Sequence, residues 1–202
     1  MPEAPHSPLK PETEWHSRGY LPHWEAGETP QSITFRLADS MPQALRDTWQ
    51  AELERLPLGQ RSAAQRRAME TILDAGHGEA LLGMAEPAGL VEAALLHFDK
   101  DRYRLHAWCV MPNHVHALVT PLGGMSLSAI VHSWKSFTAR RINRLLKRRG
   151  SLWFAEYFDR RIRNEAHYEA VRFYIEQNPV KAGLCKLPQA WRFSSACRST
   201  DI

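Results

Sequence analysis

The pattern of apolar positions changes period at Tyr103. Before it, apolar side chains recur mostly at helical spacing. Ala44, Leu45, Trp49, Leu53 and Leu56 follow a capping Ser40, and Arg61 to Leu73 and Leu90 to Leu96 repeat the rhythm across a break at Gly76–Gly78. Gln31-Ser-Ile-Thr-Phe-Arg-Leu37 is the exception, alternating polar and apolar residues as a strand does. From Tyr103 to Val110 the period is two, which predicts a strand with Tyr103, Leu105, Ala107 and Cys109 on one side and Arg104, His106, Trp108 and Val110 on the other. Pro112-Asn113 makes a turn, and His114 to Thr120 returns as the second strand. Ser126 opens a long helix to Leu146, Trp153 to Ile162 reads as a short bent strand, and Glu165 to Asn178 forms the last helix, which Pro179 is expected to stop. The order strand, helices, hairpin, helix, strand, helix predicts an α+β fold, an antiparallel sheet with helices packed on it.

Residues 1–30, rich in Pro, Glu, His and Gly, are expected to form an extended arm. A catalytic domain over 31–183 and a C-terminal tail over 184–202 follow. The 202 residues, 44% hydrophobic and 24% charged, suit one ordinary globular domain. No apolar run is long enough to span a membrane, and the N-terminal residues do not read as a signal peptide. Three cysteines without Cys-x-x-Cys spacing argue against a disulfide framework and point to a reducing cytosol.

Charge changes the picture more than composition does. The net charge of +4 conceals a balance of −6 over residues 1–100 and +10 over residues 101–202. A basic half suggests a polyanion held on one side, with nucleic acid the favoured class. Lys135 to Arg149 holds Lys135, Arg140, Arg141, Arg144, Lys147, Arg148 and Arg149 and no acid. Arg140, Arg144 and Lys147 are expected on one helical face, and Arg141 and Arg148 on another. Such residues suit phosphate contacts, and equally a solvated helix end whose cations complement the macrodipole. Arg160, Arg161 and Arg163 form a second basic patch.

Two constellations carry chemistry. His114 and His116 are two apart in a strand and so share a face, with Val115, Ala117 and Val119 on the other. If the apolar face is buried, both imidazoles are left free to meet a divalent metal, although imidazole is a rarer partner for Mg than for transition ions. Taken alone, one member of such a pair can instead hydrogen-bond a backbone carbonyl. Asn113 reads as a turn residue. In the last helix Tyr174 and Asn178 are four apart and stack on one face, with His167 two turns earlier, presenting a phenol and an amide together. Tyr174 also fits an aromatic in an apolar stripe, Asn178 a simple helix end, and Tyr157 and Tyr168 are rival nucleophiles.

Five motifs in order carry a resemblance: Met111-Pro-Asn-His-Val-His116, Lys135-Ser-Phe-Thr-Ala139, Tyr157-Phe-Asp-Arg-Arg-Ile-Arg163, Tyr174-Ile-Glu-Gln-Asn-Pro-Val-Lys-Ala-Gly183 and Trp191-Arg-Phe-Ser-Ser195. Together they resemble the REP-associated tyrosine transposases, relatives of the single-strand insertion-sequence transposases. The resemblance implies a ferredoxin-like sheet, the HUH endonuclease fold. It also implies metal-dependent cleavage and rejoining of hairpin DNA from repetitive extragenic palindromes through a 5′-phosphotyrosine. By motif, Tyr174 would be the nucleophile and His114, His116 and Asn178 the ligands of Mg or Mn. Asn178 stands where insertion-sequence relatives carry glutamine. DNA contacts are expected from Lys135, Arg140, Arg141, Arg144, Lys147, Arg148, Arg160 and Arg163. A bacterial cytoplasm and either a monomer or a homodimer are compatible with this. Two other readings stand beside it: a domesticated, sequence-specific hairpin-binding protein that no longer cuts, and a metallonuclease that uses water.

Overall fold

In a computed structural model, residues 14–17, 22–25, 27–55, 57, 64 and 68–198 are described. Strands β1 (Glu14–Ser17) and β2 (Pro22–Glu25) pair antiparallel as a ribbon, with Trp15 opposite Trp24 in register. Then follow β3 (Gln31–Arg36), α1 (Gln43–Glu54), α2 (residues 68–74), α3 (Ala85–His97), β4 (Tyr103–Val110), β5 (His114–Pro121), α4 (Leu127–Leu145), β6 (Phe158–Arg161), α5 (Glu165–Lys181) and the single turn α6 (Ser195–Arg198). The helix predicted from Arg61 lies partly outside the described residues.

The main sheet has the order β4-β5-β3-β6, antiparallel throughout. Two split β-α-β units interlock to give it, β3-α3-β4 and β5-α4-β6, which is the ferredoxin-like arrangement. One face is apolar. Ile33, Phe35, Val115, Ala117 and Val119 pack there against Ala88, Val91 and Leu95 of α3 and Leu127, Ile130, Val131, Trp134 and Ile142 of α4. Trp134 donates to the Tyr103 hydroxyl (2.9 Å), which in turn donates to the Leu95 carbonyl (2.7 Å), so both polar ends in this core are satisfied.

The other face is covered too. Ala107, Cys109, Met111 and Leu118 meet Val171 and Ile175 of α5, while Met41, Met69 and Leu73 form a small cluster bringing in α1's lead-in and α2. The imidazole face is thus an interior layer between the sheet and α5. It is also why β5 is buried at almost every position.

Three further expectations change. β4 does not alternate evenly, because its register against β5 shifts between Leu105 and Ala107. This bulge spends His106 as an extra residue, so Tyr103 and Leu105 face the α3–α4 layer while Ala107 and Cys109 face α5. Pro179 does not end the last helix, which runs on to Lys181. A proline in the final turn deletes only its own donor, and the stop falls instead at Gly183 (φ 71°), whose left-handed backbone suits a residue without Cβ. Finally, α4 ends at Leu145, and Lys147 is itself left-handed (φ 51°), so Lys147 and Arg148 leave the helical faces assigned to them. After α5 the described residues return to the sheet: Trp191 donates to the Val110 carbonyl (3.0 Å) and Val110 N–H to that of Phe193 (2.9 Å), which occupies the outer edge of β4.

Candidate active site

The tight Pro112-Asn113 turn starts β5 and brings Asn113 against the first histidine. Asn113 is buried, and its amide nitrogen donates to the carbonyls of Leu73 (3.1 Å) and His77 (3.2 Å). Those bonds fix the amide's orientation and aim Oδ1 at His114 Nδ1, 2.7 Å away. Oδ1 has no hydrogen, so His114 Nδ1 donates and its Nε2 carries a lone pair. Register puts Thr34 of β3 opposite His116, with Oγ1 2.8 Å from His116 Nδ1. A hydroxyl donates or accepts, so His116 can offer either an N–H or a lone pair at Nε2. The two Nε2 atoms converge to 2.9 Å, with the rings edge to face.

Both imidazoles are neutral. Burial, then the neighbouring His116 and Lys181, hold His114 well below the ordinary imidazole range. Burial and Lys181 push His116 down to about 3. A neutral imidazole braced through its second nitrogen is the form that ligates a metal.

Helix α5 supplies the rest. Asn164 caps it, accepting from the His167 N–H (2.9 Å), a start signal that the sequence reading passed over. Val171 and Ile175 dock the helix on the sheet, which turns Tyr174 edge-on to His116 with ring centroids 5.7 Å apart. Asn178 is fully buried one turn further on, and both its amide atoms lack a hydrogen-bond partner. Its amide acts on the Tyr174 phenol without a bond of full geometry. An uncompensated buried amide is costly. Such an amide, one turn from the tyrosine that packs on His116, together with two converging imidazole nitrogens suits a divalent cation with mixed nitrogen and oxygen ligands, such as Mn.

Tyr174 ionises only with difficulty: burial raises its pKa, and the Glu70 carboxylate raises it further. A cavity of about 400 Å³ opens beside it, lined by Thr34, Glu70, His116, Arg160, His167 and Tyr174 among others. Lys181 bonds Asp74 of α2 (2.9 Å) and lies 5.5 Å from the Tyr174 ring centroid.

The structure therefore brings together His114, His116, Tyr174 and Asn178 from β5 and α5, and adds Arg160 at the cavity. The rival Tyr157 is buried in the opposite layer, and Tyr168 packs edge-on against His106. The α4 cations are separated from the histidines by the sheet. Arg140, Arg141 and Arg144 are exposed on the helix above the α3–α4 layer, as is Lys147 beyond its end, and Arg163 is exposed just before α5. Arg148 pairs with Glu79. Lys135 is engaged within the protein. Its ammonium donates to the Phe154 (2.7 Å) and Ala155 (2.6 Å) carbonyls, and burial lowers its pKa to about 8. Sequence reasoning missed Thr34, the bracing role of Asn113, and Glu70. Only Asn113, adjacent to His114, offered a local signal.

Residues 92–178 match the family described as "Transposase IS200 like". The REP-associated tyrosine transposase of Escherichia coli (strain K12) is 29% identical over 109 residues, a match spanning 52% of this chain and 62% of that relative's length. A solved structure described as a REP-associated tyrosine transposase bound to a REP hairpin superposes with a TM-score of 0.58 at 19% identity, covering 92% of this chain and 86% of the other. The last comparison shows the fold. The five motifs and these comparisons point the same way, and the architecture agrees with them.

Proposed function

From this kinship with the REP-associated tyrosine transposases, we propose that the protein cleaves and rejoins single-stranded hairpin DNA through a covalent bond to Tyr174. The observation that carries the reading is the meeting of four side chains: two neutral imidazoles 2.9 Å apart, the Tyr174 ring against one of them, and the unsatisfied Asn178 amide one turn away. The relative's hairpin ligand supports the same class of substrate for this chain.

Tyr174 Oη attacks the scissile phosphorus, the bond from phosphorus to the 3′ oxygen breaks, and the products are a 5′-phosphotyrosine and a free 3′-hydroxyl. The phosphodiester energy stays in the new ester, so an incoming 3′-hydroxyl reseals the strand without a nucleotide cofactor. His114, His116 and Asn178 would hold Mg or Mn, which when bound would supply Lewis-acid charge at the phosphate. Asn113 and Thr34 keep the imidazoles aimed, and the packing of Val171 and Ile175 holds Tyr174 in line, which is the positional part of catalysis. Arg160 at the cavity is suited to the phosphates next to the cleavage point, while Arg140, Arg141 and Arg144 on the far layer suit a hairpin stem that wraps the domain.

The test is incubation of a library of single-stranded hairpin oligonucleotides with Mn or Mg, with products resolved on a denaturing gel. A DNA-linked protein band that disappears with Tyr174→Phe and with chelator is the expected result. Cleavage that survives Tyr174→Phe would mean water is the nucleophile, and hairpin binding without cleavage would leave a domesticated DNA-binding protein.

A further inference from the structure

The cavity beside Tyr174 is larger than phosphate chemistry requires. At about 400 Å³ it falls in the range of whole small-molecule sites, roughly 300–1,000 Å³. Sheet register builds its floor. Thr34 pairs with His116 on one side and Phe158 on the other, and Ser32 pairs with Arg160, so these side chains share the face that carries the imidazoles. Helix α5 covers the β4–β5 half of that face through Val171 and Ile175, and α2 covers the β6 end by packing Met69 and Leu73 with Phe158. The cavity is the gap left between the two helices. Met69, Leu73, Phe158, Ala170 and Val171 give it apolar walls, and His116 and Tyr174 close it on the side of the proposed cleavage.

The polar groups are few and unlike one another. Arg160 and His167 offer donors, since His167 Nδ1 accepts the Arg163 N–H (3.2 Å) and the hydrogen of the neutral ring is therefore on Nε2. Two acids, Glu70 and Asp159, line the cavity. Asp159 pairs in register with Ile33, whose side chain is in the opposite core, so its carboxylate is directed away from the floor. Glu70 lies one turn before Asp74, which bonds Lys181 of α5 (2.9 Å), so Glu70 and Asp74 belong to the stripe of α2 that faces α5.

We propose that this cavity seats the nucleobase next to the scissile phosphate, unstacked from its strand, and that Glu70 reads its edge. This rests on the transposase reading above. Tyr174 and His116 border the cavity and the cleavage point alike, so one nucleotide spans both. Apolar walls with an aromatic ring and a few polar groups at the edge are what an extruded base requires. A carboxylate only accepts hydrogen bonds, so Glu70 selects a base edge that donates. Adenine, cytosine and guanine each carry an amino group; thymine has none, and its carbonyls repel a carboxylate.

The test uses the full chain, Mn, and the hairpin oligonucleotide that yields the adduct in the library experiment. Each nucleotide flanking the cut is replaced in turn by an abasic one, and single-turnover adduct formation is timed. Removing the seated base should slow it by about 5–150-fold, the loss expected when one base leaves an aromatic contact. At that position thymine should react about 5–150-fold more slowly than the best amino-bearing base, the range for one base-edge pair. Glu70→Gln should bring that ratio to within about threefold of one, because an amide also donates to a thymine carbonyl. A ratio taken within one protein does not move with its stability. Abasic nucleotides that slow the reaction by less than about fivefold at both positions overturn the assignment while the Tyr174 mechanism stands. So does a thymine ratio below about fivefold in the wild type, or one that Glu70→Gln leaves unchanged. No adduct from the wild-type protein with any hairpin overturns both.

Discussion

Replacing Asn113 by alanine probes how far the active site depends on a residue that touches no substrate. Three hydrogen bonds vanish: the acceptor for His114 Nδ1 at 2.7 Å, and the donors to Leu73 and His77 at 3.1 and 3.2 Å. Each is worth about 1 kcal/mol, and the stranded imidazole N–H, only 1% exposed as part of His114, adds a desolvation cost of similar size. The loss is roughly 4 kcal/mol. For a chain of this length that lowers Tm by about 8–16 °C. His114 is also released to turn, so Mn affinity should fall about 10–100-fold, as for other residues that brace metal ligands. Asn113→Asp separates the two effects, since it retains an acceptor for His114 but cannot donate to the two carbonyls. It should lose stability while keeping most of the Mn affinity. Thermal unfolding and calorimetric Mn titration measure the two quantities. An Asn113→Ala protein that binds Mn as tightly as wild type and melts at the same temperature would refute the reasoning.

Three further outcomes follow from the same structure. His116, near 3 when folded against about 6.5 unfolded, leaves the unfolded chain binding more protons in that window, so stability is full above about pH 6.5 and declines as pH falls toward 3. Urea titrations across pH should follow that curve, and His116→Gln should flatten it; an unchanged acid limb would exclude His116 as its source. Lys135→Met removes two donors to the strap at Phe154 and Ala155 and should cost about 1–3 kcal/mol in urea unfolding with hairpin affinity intact, whereas a selective loss of affinity would restore Lys135 to the DNA contacts. Arg140, Arg141 and Arg144 together changed to Gln should reduce the slope of log affinity against log salt by about 3, at roughly 0.9 per phosphate contact on the duplex stem, and an unaltered slope would clear α4 of any part in binding.

Local pattern and tertiary structure contributed differently to the result. The strand period in His114–Thr120 sufficed to put His114 and His116 on one face, because side-chain direction in a strand is set by the backbone alone. Helical spacing likewise sufficed for Tyr174 above Asn178, and the sequence of elements for an antiparallel α+β sheet. Where local rules met long-range packing, they gave way. The bulge in β4 is a compromise between two buried layers, and no period in Tyr103–Val110 announces it. Pro179 carries a stop signal that applies to a helix interior, and it fell in a last turn where the lost bond matters little.

By itself the sequence determined the chemistry available: imidazoles, phenol and amide at spacings that fix their directions, and a basic half suited to a polyanion. Only the tertiary structure decided their company. It covered the histidine face with α5, set Thr34 opposite His116 from 82 residues away, and brought Glu70 of α2 to the same cavity as Tyr174. It also put the α4 cations on the other side of the sheet and drew the Lys135 ammonium onto backbone carbonyls. The reason is physical. Direction along a strand or helix is local geometry, whereas the identity of a neighbour across a sheet depends on which faces the whole chain buries against each other.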